Sequence, residues 1–202
     1  MLNLQEHEHT FQELYQNING FALSHHARKG HDTFDYVYGE IEFLPFLALL
    51  SLVPLDEETV FYDLGSGTGK AVLACAMTYP LRRSVGIEIL PALYESACMQ
   101  AAQLAKIPHY ERKAKKITFI LGDFLEVDLD AANIIFINAT ALFNPTWEKI
   151  CARLEHLPHL KIVITTSKAL CSKHFTVVTQ TKIQMSWGVV SAFIHARRKK
   201  KD

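Results

Sequence analysis

Val60-Phe61-Tyr62-Asp63-Leu64-Gly65-Ser66-Gly67-Thr68-Gly69-Lys70 passes from an apolar run into alternating glycines and on into the alanine-rich stretch Ala71-Val72-Leu73-Ala74-Cys75-Ala76-Met77. The spacing predicts strand, tight loop, helix. Glycine at 65, 67 and 69 admits positive φ and close approach of a ligand to the backbone, and the helix that follows turns its leading N–H groups and positive dipole end toward that ligand. The loop is therefore of the nucleotide-binding type, and its spacing narrows the ligand. A P-loop needs G-x-x-x-x-G-K-[ST], but Gly69-Lys70 is followed by Ala71, and Leu64 stands where the first glycine belongs. A dinucleotide fingerprint starting at Gly65 needs glycine at 70, where the chain has Lys70. What remains is Asp-x-Gly-x-Gly-x-Gly, with a second acid, Glu88, closing the next apolar run Ser84-Val85-Gly86-Ile87-Glu88.

Outward from this loop, strand-like and helix-like stretches alternate. Pro91 suits the first turn of a helix carrying Leu93, Ala97 and Leu104, and Ile117 to Leu121 reads as a third strand left abruptly at Gly122-Asp123-Phe124. Ala132 to Asn138 is almost continuously apolar, as a central parallel strand is, and Asn138 falls at the C-terminal edge where open α/β sheets bind ligands. Asn144-Pro145 reads as the cap and first turn of a helix. Lys161 to Lys168 supplies a fifth strand, and 175–185 with 189–195 form a β-rich pair. Upstream, Leu4, Phe11, Leu14, Tyr15 and Ile18 have helical spacing with Gly20 as a stop, and 43–53 is an apolar helix. His7, His9, His25 and His26 lack accompanying ligand spacing and read as solvated helix residues, so no metal site is expected.

A chain of 202 residues holds one well-buried domain. Acidic and basic residues balance at 21 each, and 49% of residues are hydrophobic, which excludes a global field for polyanions. Cys75, Cys98, Cys151 and Cys171 are widely separated, and no basic and apolar leader is present, so a reducing, cytoplasmic location is expected. The longest apolar stretch, Phe43 to Val53, falls short of the ~20 residues that span a bilayer, so no membrane partner is expected.

The pattern around Asp63, the glycines and Glu88 resembles class I S-adenosyl-L-methionine methyltransferases. Four further segments resemble one branch of them, the non-SET histone lysine methyltransferases of the disruptor-of-telomeric-silencing family. These are Tyr38-Gly39-Glu40, Gly122-Asp123-Phe124, the strand ending at Asn138, and Met185-Ser186-Trp187. Ile41 stands where that family has threonine, and the segment after Trp187 is two residues shorter than the family's. The resemblance implies a Rossmann-like seven-stranded α/β sheet, mostly parallel with an antiparallel C-terminal strand, and helices on both faces. It implies a helical flank and cofactor-closing loop over 1–56, the methyltransferase core over 57–196, and a basic tail over 197–202.

It also assigns roles. Tyr38, Gly39 and Glu40 fold over the methionine end of the cofactor; Asp63, Gly65, Ser66, Gly67, Gly69 and Lys70 pass beside it; Glu88 accepts from the ribose hydroxyls; Asp123 and Phe124 hold adenine. Asn138 lies between cofactor and methyl acceptor, and Trp187 walls the acceptor channel. The implied activity is methyl transfer to a lysine side chain of a protein, histone or other. A small-molecule or RNA methyltransferase shares the cofactor half and differs over 30–43 and 139–195; a catalytically silent S-adenosyl-L-methionine-binding protein keeps the fold and lacks turnover. Arg197-Arg198-Lys199-Lys200-Lys201 is a candidate for contact with nucleic acid.

Overall fold

The computed structural model describes residues 3–27 and 39–198. Tyr38, most of the loop before it and Lys199 to Lys201 lie outside the described residues. In chain order the elements are α1 (Leu4–Tyr15), α2 (Gly20–Ala27), α3 (Phe43–Leu50), β1 (Val60–Leu64), α4 (Lys70–Thr78), β2 (Arg83–Glu88), α5 (Pro91–Ala105), α6 (Glu111–Ala114), β3 (Ile117–Leu121), β4 (Ile134–Asn138), α7 (Thr146–His156), β5 (Ile162–Thr166), β6 (Phe175–Met185) and β7 (Gly188–Arg197).

The strands form one seven-stranded sheet in the order β3-β2-β1-β4-β5-β7-β6. Pairing is parallel from β3 through β5 and antiparallel on both sides of β7, so β7 alone runs against the other strands. This is the Rossmann-like sheet expected from the sequence. The strand order reverses at β1, so β1 and β4 diverge from a central crevice at their C-terminal ends, the position where doubly wound sheets bind ligands.

Strand periodicity divides the core between the two faces. Phe61, Ile134 and Phe136 point to the face covered by α1, α3 and α4. Val60, Tyr62, Ile135 and Ile137 point to the opposite face, where α7 contributes Trp147, Ile150, Cys151 and Leu154. Helix α4 is buried from Ala71 to Thr78, which matches its apolar, small-residue composition and its place directly against the strands.

Four local expectations change. Gly20 begins α2 instead of only stopping α1, because Asn19 Oδ1 accepts from the Ala22 N–H at 2.9 Å and caps the new helix. His7 is not solvated: it is 3% exposed, and its Nδ1 is hydrogen-bonded to Tyr110 Oη at 2.6 Å, joining α1 to the turn before α6. Helix α7 starts at Thr146, with Pro145 in the capping position expected of Asn144. Arg197, expected in the tail, is the last residue of β7, and its guanidinium donates to the carbonyls of Leu154, Glu155, Leu157 and Leu160. Helix α7 ends with unsatisfied carbonyls, and a planar fork of donors from the neighbouring strand meets that need. No helix among the described residues is long and apolar enough to cross a membrane.

Candidate functional site

The glycine loop leaves β1 with φ values of 81°, 56° and 84° at Gly65, Gly67 and Gly69. Gly69 shows why the last of these must be glycine. Its φ is left-handed, and a Cβ there would lie 2.5 Å from Phe119 Cζ. The amides of Gly65, Ser66, Gly67 and Gly69 are engaged within the protein. Gly65 and Ser66 donate to the Ile87 carbonyl, both at 2.9 Å, Gly67 donates to Glu88 Oε2 at 2.7 Å, and Gly69 donates to the Ser66 carbonyl at 2.8 Å. The adjacent end of β2 presents the Ile87 and Glu88 acceptors, and the loop itself the Ser66 carbonyl. The hydrogen-bond ladder of α4 begins with Leu73 N–H on the Gly69 carbonyl, so the Lys70, Ala71 and Val72 amides precede it.

A cleft of about 310 Å³, open to solvent, lies over this loop. Gly39, Glu40, Asp63, Gly65, Ser66, Gly67, Lys70 and Asn138 line it, as the sequence grouped them, together with Ile41, Ala71 and Phe136, which it did not. Asp63 is 4% exposed, and burial, with the nearby charge of Glu88, pushes its carboxyl up to about 8. Burial also raises Glu88, against the backbone N–H groups of Leu90 and Gly67 that hold its ionised form. Lys70 Nζ pairs with Glu40 Oε2 at 2.7 Å, and Thr68 Oγ1 donates to the other Glu40 oxygen at 3.5 Å. Helix α1 reaches the same place, with Tyr15 Oη donating to the Thr68 carbonyl at 3.1 Å and the Tyr15 ring 5.3 Å from Lys70 Nζ. Ser66 Oγ is buried on the cleft wall without a partner among the described residues.

The segment 39–41 covers the cleft and is fastened to the turn between β6 and β7. Ile41 pairs with Met185 in an isolated antiparallel bridge, Ser186 N–H donates to the Glu40 carbonyl at 3.0 Å, and Glu40 N–H donates to Ser186 Oγ at 3.2 Å. Trp187 lies flat against Gly39: a Cβ on that glycine would stand 2.2 Å from Trp187 Cζ3. Asn138 Nδ2 donates to the Gly39 carbonyl at 3.3 Å, and Asn138 Oδ1 accepts from Thr166 Oγ1 at 2.7 Å and Thr140 Oγ1 at 3.0 Å. Neither threonine was singled out in the sequence. The signal present there was only hydroxyls at two strand ends, Asn138-Ala139-Thr140 and Thr165-Thr166-Ser167.

Asp123 and Phe124 stand outside the cleft, beyond the end of β3. Gly122 N–H donates to the Glu88 carbonyl at 2.9 Å, which brings Asp123 beside Glu88, and one Asp123 oxygen accepts from the Leu125 N–H at 2.8 Å. Acids along the C-terminal edge and a glycine loop whose amides are already engaged do not suit a phosphate. They suit a ligand with cationic groups at one end and hydroxyls and a base further along. S-Adenosyl-L-methionine is such a ligand: Asp63, Glu40 and Lys70 line the cleft, and Glu88 and Asp123 stand beyond its lining, at the ends of β2 and β3.

A model of the family described as histone methylation protein DOT1 matches residues 24–192. Over 148 residues the chain is 30% identical to the histone-lysine N-methyltransferase, H3 lysine-79 specific, of Drosophila melanogaster, covering 70% of this chain and 8% of that protein. Over 172 residues it is 27% identical to the protein of the same description from Caenorhabditis elegans, covering 74% of this chain and 18% of that one. The chain thus spans less than a fifth of the length of these relatives. In fold it is similar to an RNA methyltransferase from Salinibacter ruber solved with S-adenosyl-L-homocysteine, with a TM-score of 0.57 and 24% identity over 78% of this chain and 93% of that one.

Proposed function

The chain belongs to the family of the histone methylation protein DOT1, and from that premise we propose that it transfers a methyl group from S-adenosyl-L-methionine to a lysine side chain of a protein. One observation carries the reading. The family match extends through residue 192, across the part of the chain after β4 that borders Asn138 and carries Trp187. That part, and not the glycine loop, distinguishes acceptors among proteins that share the cofactor half.

When bound, the cofactor supplies a methyl group already activated on a sulfonium, so the protein needs no covalent nucleophile. Asp63 and Glu40 would hold the cationic amino-acid end, Lys70 would meet its carboxylate and Asp123 its adenine. Glu88 has both oxygens on backbone N–H groups yet keeps lone pairs for two ribose hydroxyls. The segment 39–41, held down by Ser186 and Trp187, excludes water from the methyl end. An acceptor lysine attacks only as the neutral amine, and its ordinary pKa near ~10.4 falls when it is desolvated. Trp187, partly exposed beside Gly39 at the cleft, would provide an apolar wall for that step.

Methyl-labelled cofactor is to be incubated with the protein and, separately, with free histones, nucleosomes, RNA and a metabolite fraction. The expected result is label on lysine in the protein fractions. Label confined to RNA or metabolites, or none in any fraction, overturns the lysine reading.

A further inference from the structure

The carboxamide of Asn138 is held from three directions, and the partners determine which of its two heavy atoms faces which way. The Gly39 carbonyl, 3.3 Å away, can only accept, so the NH2 group faces it and the oxygen faces β5. That oxygen takes hydrogen bonds from Thr166 Oγ1 and Thr140 Oγ1. A hydroxyl has one proton, and Thr140 spends it on Asn138. The 2.7 Å contact between Thr140 Oγ1 and Ser167 Oγ is therefore donated by Ser167. The order runs from Ser167 to Thr140 to Asn138, with Thr166 entering the same oxygen from the side.

Ser167 itself has φ 64°, the one non-glycine residue in the left-handed region among the described residues, and its N–H donates to the Ser191 carbonyl of β7 at 2.7 Å. A strained residue persists where its surroundings over-determine it, and here the strain aims a hydroxyl at Thr140. Thr166 is fully buried. With Oδ1 doubly engaged, the Asn138 carboxamide presents to its surroundings only N–H, one of which is on Gly39.

We propose that Thr166, Thr140 and Ser167 are positioning residues that lock the Asn138 carboxamide in this orientation and so hold the segment covering the cofactor cleft in register with the C-terminal edge of β4 and β5. The assignment rests on the cleft being the cofactor site. Without the two hydroxyls the carboxamide is free to turn over, which sets oxygen against the Gly39 carbonyl and releases the cover.

The test compares Thr166→Val, which keeps the shape and removes the hydroxyl, with Thr166→Ser, which restores it. Two quantities are read: S-adenosyl-L-homocysteine affinity by calorimetry, and hydrogen exchange at the amides of residues 40–42. The expected result is affinity lowered about fivefold, the equivalent of one hydrogen bond, with faster exchange confined to 40–42 and both reversed by serine. Thr140→Val gives the same comparison should Thr166→Val fail to fold. Unchanged exchange at 40–42 overturns the proposal, as does unchanged affinity in a protein whose exchange has risen. Wild-type protein that does not bind S-adenosyl-L-homocysteine overturns the cofactor reading instead, and exchange alone then decides for or against the lock.

Discussion

At the residue scale, Asp63 makes the ligand-free protein sensitive to pH. Its folded carboxyl is pushed up to about 8 from an ordinary 3.8, so the folded state binds a proton that the unfolded chain releases. Stability present at low pH is lost as pH rises from near 4 through about 8, with a slope of at most ~1.4 kcal/mol per pH unit. Glu88, also raised, adds to the same slope. His7 and His195, both lowered by burial, act in the opposite sense up to about their ordinary 6.5. The window in which Asp63 dominates is therefore pH 6.5 to 8, and urea unfolding there is expected to show falling stability in wild type and little change in Asp63→Asn. Glu88→Gln is expected to lose about 1–3 kcal/mol of stability, because an NH2 group then confronts a backbone N–H that had an acceptor. Glu88→Ala is expected to weaken S-adenosyl-L-homocysteine by roughly 1.5–3 kcal/mol in calorimetry. The two acids were legible in the sequence because Asp63 falls just before the glycine loop and Glu88 ends an apolar run. The hydroxyls around Asn138 were not, since Thr166 reaches it only after β5 has paired with β4, and no local pattern announces that register.

At the element scale, Arg197 ties β7 to the end of α7. The carbonyls of Leu154 and Glu155 in the last turn of α7, of its C-cap Leu157 and of Leu160 just beyond share the Arg197 guanidinium, which also stacks 4.6 Å from the Phe175 ring centre. Arg197→Ala is expected to lower unfolding free energy by about 2–3 kcal/mol, and Arg197→Lys to recover little of it, since an ammonium cannot reproduce the planar fork. The contact between segment 39–41 and the β6–β7 turn predicts a non-additive pair. Gly39→Ala drives a methyl into Trp187 and is expected to weaken cofactor binding, and adding Trp187→Ala is expected to restore part of it by making room. Strands and helices were readable from their periods of two and 3.6. Where the reading failed, a single residue carried two meanings: Gly20 after Asn19 is both a terminator and the start of a capped helix, and Arg197 in a cationic run is also a helix partner.

At the scale of the whole molecule, Arg197 is accounted for by its bonds to the end of α7, which shortens the candidate cluster for polyanion contact to Arg198 to Lys201. Deleting residues 199–202, which spares the Arg198 N–H on the His174 carbonyl, is expected to leave the melting temperature unchanged, whereas deletion from 197 lowers it; methyl transfer to nucleosomes over a salt series then reads whether those cations dock. The sheet order was implied by resemblance and not by composition, because nothing local to β6 or β7 states that the later strand lies inside the earlier one. That placement has a consequence for synthesis. β7 is the last of the seven strands in the chain yet sits between β5 and β6, so until residue 197 has left the ribosome β5 has an open edge and β6 has no neighbour in the sheet. Folding cannot proceed strand by strand from the first residue. A nascent chain halted before Gly188 carries exposed pairing edges and an uncapped α7, and it is the form in which this protein is most open to proteolysis and aggregation.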